Sequence, residues 1–356
     1  MIIAACAAAF SCLLVKPDKE YLTYFDFKTL TCLFSVLAVV MALRSIGFFT
    51  YASRKLVTVA KSAKSAVLCL VYITFIGSML IANDMALITF LPLGYEVLTK
   101  TGKTKYMAFT FIMQNIAANL GGMLTPFGNP QNLYLYSYFN IPTGQFTAVM
   151  LPPFLFAIAL ITLCCLVFVK NEKLTVSDET SAPLPKKQCA VYLLLFLLSI
   201  VIVFRIIHYL IGLAVIFAVL MFMNRTALKR VDYSLLLTFV MFFIFSGNMS
   251  RLTSLQNVIS PLLEKNALVC SALSCQVISN VPSAILLSKF TDNWQQLLVG
   301  VNIGGAGTLI ASLASLITYR EYVKFDPAGK KKYLITFSLF NFAFLALMTV
   351  FCLLIG

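Results

Sequence analysis

An unbroken apolar run from residue 146 to residue 169 constrains this chain more than any other feature. The run contains no charged residue and exceeds the roughly 20 residues that a helix needs to cross a bilayer. Similar runs follow one another with short charged breaks, and the whole chain is 60% hydrophobic and 11% charged. Soluble domains carry about 25% charged residues. The sequence therefore predicts an all-α integral membrane protein without an attached soluble domain.

The order of apolar runs predicts about ten membrane-spanning helices and two re-entrant hairpins. The spanning segments are 2–15, 28–44, 45–60, 106–127, 146–169, 189–204, 206–223, 233–249, 294–318 and 332–355. One hairpin covers 66–98 and is interrupted at Asn83-Asp84; the other covers 267–290 and is interrupted at Asn280-Val281-Pro282. The polar linker 170–188 separates a first half, 1–169, from a second half, 189–356.

The net charge of +14 could suggest a nucleic-acid partner, but the distribution of basic residues favours a membrane explanation. If every span crosses and both hairpins return to their own side, 22 of the 27 Lys and Arg residues fall on one side. The other side receives only Arg44, Arg205, Arg251, Lys265 and Lys289. Such asymmetry follows the positive-inside rule. We therefore expect no nucleic-acid partner. We expect the protein to lie in a cell membrane, with the linker 170–188 in the cytoplasm and both termini outside.

The chain lacks the residue clusters that metal or catalytic chemistry needs. It has ten cysteines without a CxxC pair, and a single histidine, His208. The stretch 99–105, TKTGKTK, resembles the end of a phosphate-binding loop, but Val97 stands where that motif requires glycine. We expect neither an enzyme nor a bound cofactor, apart from a coupling ion.

The two halves resemble each other at their least helix-like residues. Asn119-Leu-Gly-Gly-Met-Leu-Thr125 aligns with Asn302-Ile-Gly-Gly-Ala-Gly-Thr308 at an offset of 183, and the hairpin breaks align at an offset of 197. The predicted spans give each half five crossings and one hairpin. Because five is odd, the second copy enters the membrane upside down, as in many secondary transporters.

Two pairs of helix breaks inside apolar runs predict a binding site. Freed backbone groups are tolerated at membrane depth only when they are buried in protein or line a wet cavity. Asn and Gln can hold an ion without a buried net charge, and helix N-termini favour anions. A lone Gly-Gly could equally be a close-packing point, but two matched pairs favour a site. The candidate residues are Asn83, Asp84, Gly122, Thr125, Gly128, Asn129, Pro130, Gln131, Asn132, Ser279, Asn280, Pro282, Ser283, Asn302, Gly305, Gly307 and Thr308.

Asp84 is the single carboxylate that the predicted spans place at membrane depth, away from a loop. Intramembrane acids commonly mark ion or proton pathways. Asp84 could carry a proton, or it could bind Na⁺ together with Asn83 and Asn280. A structural alternative is that Asp84 caps the second helix of the first hairpin.

The motifs resemble the ion transporter superfamily, which includes citrate-transporter-like proteins, divalent anion–sodium symporters and arsenite permeases. The resemblance is carried by NDMALITFLPL at 83–93, TPFGNPQNL at 125–133, SNVPSAILL at 279–287 and VNIGGAGTLIASLASLI at 301–317. It implies a secondary active transporter of a small anion coupled to Na⁺ or H⁺, a homodimeric scaffold, and an elevator-like movement of the domain that holds both hairpins. One initial helix of the larger members has no counterpart here.

The hairpin tips depart from the symporter pattern, which carries Ser-Asn-Thr at both tips. Here the tips read Ala82-Asn83-Asp84 and Ser279-Asn280-Val281-Pro282, so both threonine hydroxyls are missing. The acid beside the first tip asparagine resembles the arsenite-permease and Na⁺/H⁺-antiporter branch. An antiporter or a metalloid exporter therefore stays an alternative, and the substrate, the coupling ion and the direction of transport stay open.

Overall fold

The computed structural model describes residues 1–57, 60–174 and 184–355, excluding the side chains of residues 53–57. Regular structure in these residues is helical, without a β-strand. Seven of the described helices are long and apolar enough to cross a membrane. The prediction of an all-α integral membrane protein is thereby confirmed.

The first half contains eight α-helices within the described residues. They are α1 (Ile2–Leu14), α2 (Phe27–Ser45), α3 (Phe48–Val57), α4 (Ala63–Ile81), α5 (Asn83–Lys100), α6 (Met107–Gly121), α7 (Pro130–Tyr138) and α8 (Thr143–Phe168). The predicted span 106–127 is therefore broken after Gly121, and a further helix, α7, follows the break. The sequence predicted the break but not α7.

The second half contains nine α-helices within the described residues. They are α9 (Lys186–Val203), α10 (Tyr209–Met223), α11 (Arg225–Lys229), α12 (Tyr233–Ser250), α13 (Thr253–Ile278), α14 (Asn280–Leu287), α15 (Trp294–Ile303), α16 (Leu313–Phe325) and α17 (Lys330–Ile355). The predicted span 294–318 is broken between α15 and α16. Helix α13 begins before the predicted hairpin and is kinked at Asn266, where φ is −163° and ψ is 92°.

The helices pack as two groups. In one group, α1 packs along α12, α10 along α2, and α9 along α2. In the other, the hairpin α4–α5 packs on α6, and the hairpin formed by α13 and α14 packs on α15. Helix α2 contacts α7, and α12 contacts α14, so these two pairs join the groups.

Both predicted hairpin breaks occur at a single residue with the same unusual backbone conformation. Ala82 separates α4 from α5 with φ 65° and ψ 152°, and Ser279 separates α13 from α14 with φ 73° and ψ 160°. A positive φ is uncommon for residues other than glycine. Ala82 and Ser279 are also the residues that the offset of 197 aligns.

The predicted span 45–60 is wrong. Helix α3 has only 10 residues and is about 15 Å long, roughly half the thickness of the hydrocarbon core. It also contains Arg54 and Lys55. Residues 58 and 59 of the predicted span lie outside the described residues. Because α3 is too short to cross, the first half has one crossing fewer than predicted, and the segments before it are reversed. The number of crossings in the first half is then even, so the argument for inversion from an odd number of crossings is lost.

Two contacts show that the predicted sides of the early loops are wrong. Arg251 forms an ion pair with Asp18, with 2.7 Å between Arg251 Nη2 and Asp18 Oδ2. Asn224 Nδ2 donates to Ser45 Oγ at 2.8 Å. The predicted arrangement put both pairs on opposite faces of the membrane, where neither contact could form. The side with more basic residues therefore loses Lys16, Lys19 and Lys28 and gains Arg44. The division of the 27 Lys and Arg residues changes from 22 against 5 to 20 against 7, so the asymmetry remains.

We expect cysteines introduced at Lys19 and Gln256 to be labelled from the same side of the membrane. The test uses intact cells or sealed vesicles, an impermeant thiol reagent, and a background in which the ten native cysteines are replaced. A cysteine at Lys103 serves as the control for the opposite side. Labelling of the Lys19 and Gln256 positions from opposite sides would contradict the structure.

The described beginning of the linker, residues 170–174, is held against the first hairpin. Ala63 N donates to Glu172 O at 2.8 Å, and Leu174 N donates to Lys61 O at 3.2 Å. The Glu172 carboxylate accepts hydrogen bonds from Lys103 Nζ at 2.7 Å, Lys105 Nζ at 2.5 Å and Tyr106 OH at 2.9 Å. Lys103, followed by Lys105 and Tyr106, lowers the pKa of Glu172 from 4.5 to about 2. Residues 175–183 of the linker lie outside the described residues.

We expect Glu172→Gln to remove part of the acid sensitivity of the protein. Because the folded-state pKa is depressed, the contribution of this carboxylate is complete above its ordinary pKa and is lost as pH falls towards the folded value. The wild-type Tm should therefore fall more steeply than that of the variant between about pH 5 and pH 3. The effect should be small because the cluster is solvent-accessible. If the Tm values of the wild type and the variant fall in parallel over this pH range, the cluster around Glu172 contributes nothing to the acid sensitivity of the protein.

Candidate functional site

One cavity, of about 330 Å³, is bordered by both hairpin tips. This is the size range of small-molecule binding sites. Its lining residues are Met1, Asn83, Asp84, Pro130, Gln131, Asp232, Ser234, Leu235, Thr238, Ser279, Asn280, Val281, Pro282 and Leu313. The two tips, which are about 200 residues apart in the sequence, therefore meet at a single site.

The first residues of four α-helices line this cavity, and the start of a fifth helix, α12, reaches it through Asp232 and Ser234. Asn83, Pro130, Asn280 and Leu313 are the first residues of α5, α7, α14 and α16, and all four residues line it. The first turn of a helix carries backbone N–H groups without an intrahelical acceptor and a partial positive charge. Four such ends contribute partial positive charge to the cavity. Several of their N–H groups are already bonded within the protein: Asp84 N and Val281 N donate to the tip asparagines, and Asn280 N donates to Ala311 O.

The two tip asparagines are buried and play matching local roles. Asn83 Oδ1 accepts from Asp84 N at 2.9 Å, and Asn280 Oδ1 accepts from Val281 N at 2.9 Å. Asn83 Nδ2 donates to Asn119 Oδ1 at 3.2 Å. A Cβ on Gly305 would lie 3.4 Å from Asn119 Oδ1 and 3.2 Å from Asn280 Nδ2. The two tips and the two broken helices are thus within a few ångströms of one another.

A cluster of buried amides lies directly behind the cavity. Asn302 Oδ1 accepts from Asn129 Nδ2 at 3.2 Å and from Gln131 Nε2 at 3.5 Å, while Asn302 Nδ2 donates to Asn132 Oδ1 at 2.6 Å. The buried oxygens Asn129 Oδ1 and Gln131 Oε1 have no hydrogen-bond partner among the described residues. Gln131 also lines the cavity, although this oxygen is itself buried.

The first broken helix folds tightly because two glycines bring its backbone together. A Cβ on Gly128 would lie 2.3 Å from Gly122 O, and a Cβ on Gly122 would lie 2.4 Å from Asn129 Oδ1. Real Cβ atoms do not approach other atoms so closely, so both positions require glycine. Thr125 Oγ1 donates to Met79 O at 2.8 Å and ties this segment to the first hairpin. Gly122, Thr125 and Gly128 therefore shape the site from behind.

The second broken helix is tied to the second hairpin in the same manner. Thr308 Oγ1 donates to Gln276 O at 3.0 Å. Thr308 aligns with Thr125 at the offset of 183, and Gln276 aligns with Met79 at the offset of 197. Gly307 has a φ of 128°, where glycine is favoured. Ser283 Oγ contacts Ser274 Oγ at 2.9 Å within the hairpin. None of the residues Ser283, Gly305, Gly307 and Thr308 lines the cavity, and all four lie behind it.

Seven of the seventeen predicted site residues line the cavity, and the other ten support it. The seven are Asn83, Asp84, Pro130, Gln131, Ser279, Asn280 and Pro282. Asp84 lies in the first turn of α5, but it is not the cap: the cap position is Ala82, and no side-chain cap bond is formed.

A second carboxylate, Asp232, lines the same cavity and was missed in the sequence. Asp232 lies at the start of α12, where Asp232 Oδ1 accepts from Leu235 N at 2.9 Å. In the sequence it resembles an ordinary helix cap in a loop. Among the described residues, neither Asp84 nor Asp232 takes part in an ion pair. The cavity thus combines helix N-termini with two carboxyl groups.

The family model of the citrate transporters matches residues 1–296 of this chain. The chain belongs to the citrate transporter family. The matched residues include the first hairpin, Asn83 and Asn280 at the starts of α5 and α14, and the beginning of α15. As a member of the citrate transporter family with several apolar helices, the protein is a multi-pass membrane transporter that works in a lipid bilayer and moves a solute.

Two curated relatives are similar over most of their length. An uncharacterized transporter of Methanocaldococcus jannaschii is 34% identical over 296 residues, which cover 83% of this chain and 81% of the relative. Inner membrane protein YbiR of Escherichia coli is 28% identical over 311 residues, which cover 85% of this chain and 82% of the relative. The similarity to these membrane proteins agrees with the resemblance found in the motifs.

Proposed function

We propose that this transporter is a secondary active transporter that moves a small anion, coupled to H⁺ or Na⁺. The observation that carries the proposal is the convergence of four helix N-termini on one cavity between the two hairpin tips. Dipoles and amides can hold an anion at membrane depth without a permanent buried cation. The family name makes citrate, a carboxylate anion, the first solute to test.

The cavity suits an anion that also carries hydrogen-bond donors. Gln131 Oε1 is an acceptor without a partner among the described residues. Because this oxygen is buried, a hydroxyl group or a protonated carboxyl group on the solute would satisfy it only once the Gln131 side chain turns towards the cavity. The tips lack the two threonine hydroxyls of the symporter branch, so fewer side-chain donors face the carboxylates of the solute. Selectivity should therefore depend on backbone N–H groups and on the asparagines.

We infer that Asp84 takes part in coupling. It lies one residue from a tip asparagine and shares the cavity with Asp232, although two negative charges beside a bound anion are unfavourable. A proton on Asp84 would remove one of those charges when the anion binds. The alternative coupling ion is Na⁺ at Asn83, Asp84 and Asn280, which line the same cavity.

We propose two inverted repeats and an elevator movement. Support comes from the matched contacts, Thr125 with Met79 and Thr308 with Gln276, and from the two helix groups that meet along α2–α7 and α12–α14. Asp232, which lines the cavity, belongs to a loop on the side of the membrane with more Lys and Arg residues. In this conformation the cavity therefore faces the proposed cytoplasmic side. The N-terminus then lies inside and the C-terminus outside. The group formed by α1, α2, α9, α10 and α12 supplies the proposed homodimer interface.

The test is uptake into proteoliposomes that contain the purified protein. A panel of anions led by citrate is offered under an inward pH gradient, an inward Na⁺ gradient, or neither. The proposal expects one anion to accumulate only when one of the two gradients is imposed. Accumulation of no anion, or flux that is indifferent to both gradients, would reject it.

A second candidate is a Na⁺/H⁺ antiporter or an arsenite-type metalloid exporter. The observation that favours it is the presence of two carboxyl groups, Asp84 and Asp232, on one cavity. In the same vesicles, an antiporter would move Na⁺ against protons without any added anion. An exporter would protect a sensitive host from the metalloid but would accumulate no carboxylate.

A further inference from the structure

Arg205 reaches from one of the two helix groups to the other on the proposed outer side of the membrane. It stands at the corner between α9 and α10, within the group formed by α1, α2, α9, α10 and α12, which we call the scaffold group. Its side chain contacts Tyr136 in the last turn of α7. Helix α7 packs on α14 and α15 and therefore belongs to the group that contains both hairpins, which we call the hairpin group.

Two contacts join the guanidinium group of Arg205 to Tyr136. Arg205 Nη2 donates to Tyr136 O at 2.5 Å, and Arg205 Cζ lies 4.2 Å from the centre of the Tyr136 ring. A planar guanidinium can donate from its edge and also cover an aromatic ring with its face. The neighbouring Phe204 packs against Phe127, with 6.1 Å between the ring centres. The corner at residues 204–205 therefore contacts the chain on both sides of the start of α7.

The end of α7 does not need Arg205 to satisfy its carbonyl groups. Tyr136 O also accepts from Ile141 N at 3.1 Å, and Leu135 O accepts from Phe139 N at 3.0 Å. The local backbone does not favour an arginine either, because the φ of Arg205 is 64°, which is uncommon outside glycine. Arg205 Nε is buried without a hydrogen-bond partner among the described residues. The contact with Tyr136 can therefore break without leaving Tyr136 O unsatisfied.

We propose that Arg205 is a latch that stabilises the conformation in which the cavity faces the cytoplasm. The inference rests on the proposed elevator movement. Helix α7 begins at the cavity with Pro130 and ends at the contact with Arg205, on the side opposite the opening of the cavity. When the hairpin group moves past the scaffold group, Tyr136 must leave Arg205. A contact made in one of two conformations shifts the equilibrium towards that conformation, so loss of the latch favours the outward-facing one.

Arg205→Gly tests the proposal because glycine removes both contacts and adopts a positive φ without strain. The reporter is a cysteine at Leu313, which lines the cavity, in a background without the native cysteines. An impermeant thiol reagent is applied to right-side-out and to inside-out vesicles. The ratio of cytoplasmic to outer labelling rate should fall by about tenfold or more, the effect of one hydrogen bond from a charged group. An unchanged ratio in the folded variant would overturn the proposal.

Lys289→Gln is the matched control, because it removes a similar contact that stays within one group. Lys289 Nζ lies 4.4 Å from the centre of the Tyr138 ring, which also belongs to the last turn of α7, but Lys289 follows α14 in the hairpin group. Its loss should leave the labelling ratio of the Leu313 reporter unchanged. An equal fall in Lys289→Gln would show that loss of positive charge on this side, and not the contact between the groups, changes the ratio.

Arg205→Lys keeps the test decisive if the glycine variant does not fold. An ammonium group cannot bond the carbonyl and cover the ring at once, so the labelling ratio should fall by a smaller factor, and a wild-type ratio would overturn the proposal. Because labelling uses no transported anion, unchanged ratios beside normal coupled uptake would reject the latch and leave the transport function standing. Labelling of the Leu313 reporter from the cytoplasmic side alone in every protein would reject the latch together with the elevator movement.

Discussion

Asp84→Asn is expected to abolish coupled accumulation while leaving the protein folded in the membrane. The substitution keeps the size of the side chain but removes the group that would carry a proton or bind Na⁺ beside Asn83. Accumulation driven by an ion gradient should fall by at least about 100-fold, corresponding to about 2.7 kcal/mol. The measurement is gradient-driven uptake in proteoliposomes, with anion exchange in the absence of a gradient as the second readout.

Asp292→Asn is the matched control for Asp84→Asn. Asp292 lies in the turn between α14 and α15 and lines a different crevice, together with Tyr138, Gln256 and Lys289. It should transport like wild type. If Asp84→Asn also accumulates the anion normally, Asp84 has no part in coupling, and Asp232 becomes the group to test.

Gly128→Ala is expected to cost about 3 kcal/mol of stability or more. The new methyl group would lie 2.3 Å from the backbone oxygen of Gly122 and 2.6 Å from Thr125 Oγ1. Because backbone cannot move aside as a flexible side chain can, the broken segment must open, and the contact of Thr125 with the first hairpin is strained. The expected result is a clear loss of Tm in detergent together with a loss of transport.

Gly144→Ala provides the comparison for Gly128→Ala. Gly144 lies in the first turn of α8, and a Cβ there meets nothing within 4 Å. Alanine favours a helix over glycine by about 1 kcal/mol, so this variant should be as stable as wild type or slightly more stable. Equal stability of the two alanine variants would mean that the first break is not closely packed.

The sequence predicted the hairpin breaks closely because a break needs residues that a membrane helix avoids. Asn83 and Asn280 each begin a helix, and the residue before each has the predicted non-helical backbone. The glycines and amides of 119–132 marked the first broken helix for the same reason. Helix α7 was not predicted because the expected span ended at residue 127, whereas Pro130 starts a further helix.

Other features could not be predicted because they depend on length or on contacts between distant segments. The run 45–60 is apolar on average, but its helix has only 10 residues, and this one error reversed the loops before it. Asp232 resembles a loop residue until α12 packs against α14 and brings Asp232 to the cavity between the two tips. The hydrogen bonds from Gln276 Nε2 to Gly304 O and Ala306 O depend on the path of the backbone between these two residues, which no local pattern reveals.

A cryo-EM map of the protein with the transported anion would test the central claim most directly. We expect density for the anion inside the cavity between Asn83 and Asn280, in contact with the first turns of α5 and α14 and close to Gln131. Anion density away from both hairpin tips, or a map in which α4–α5 or α13–α14 runs as one continuous helix, would contradict it.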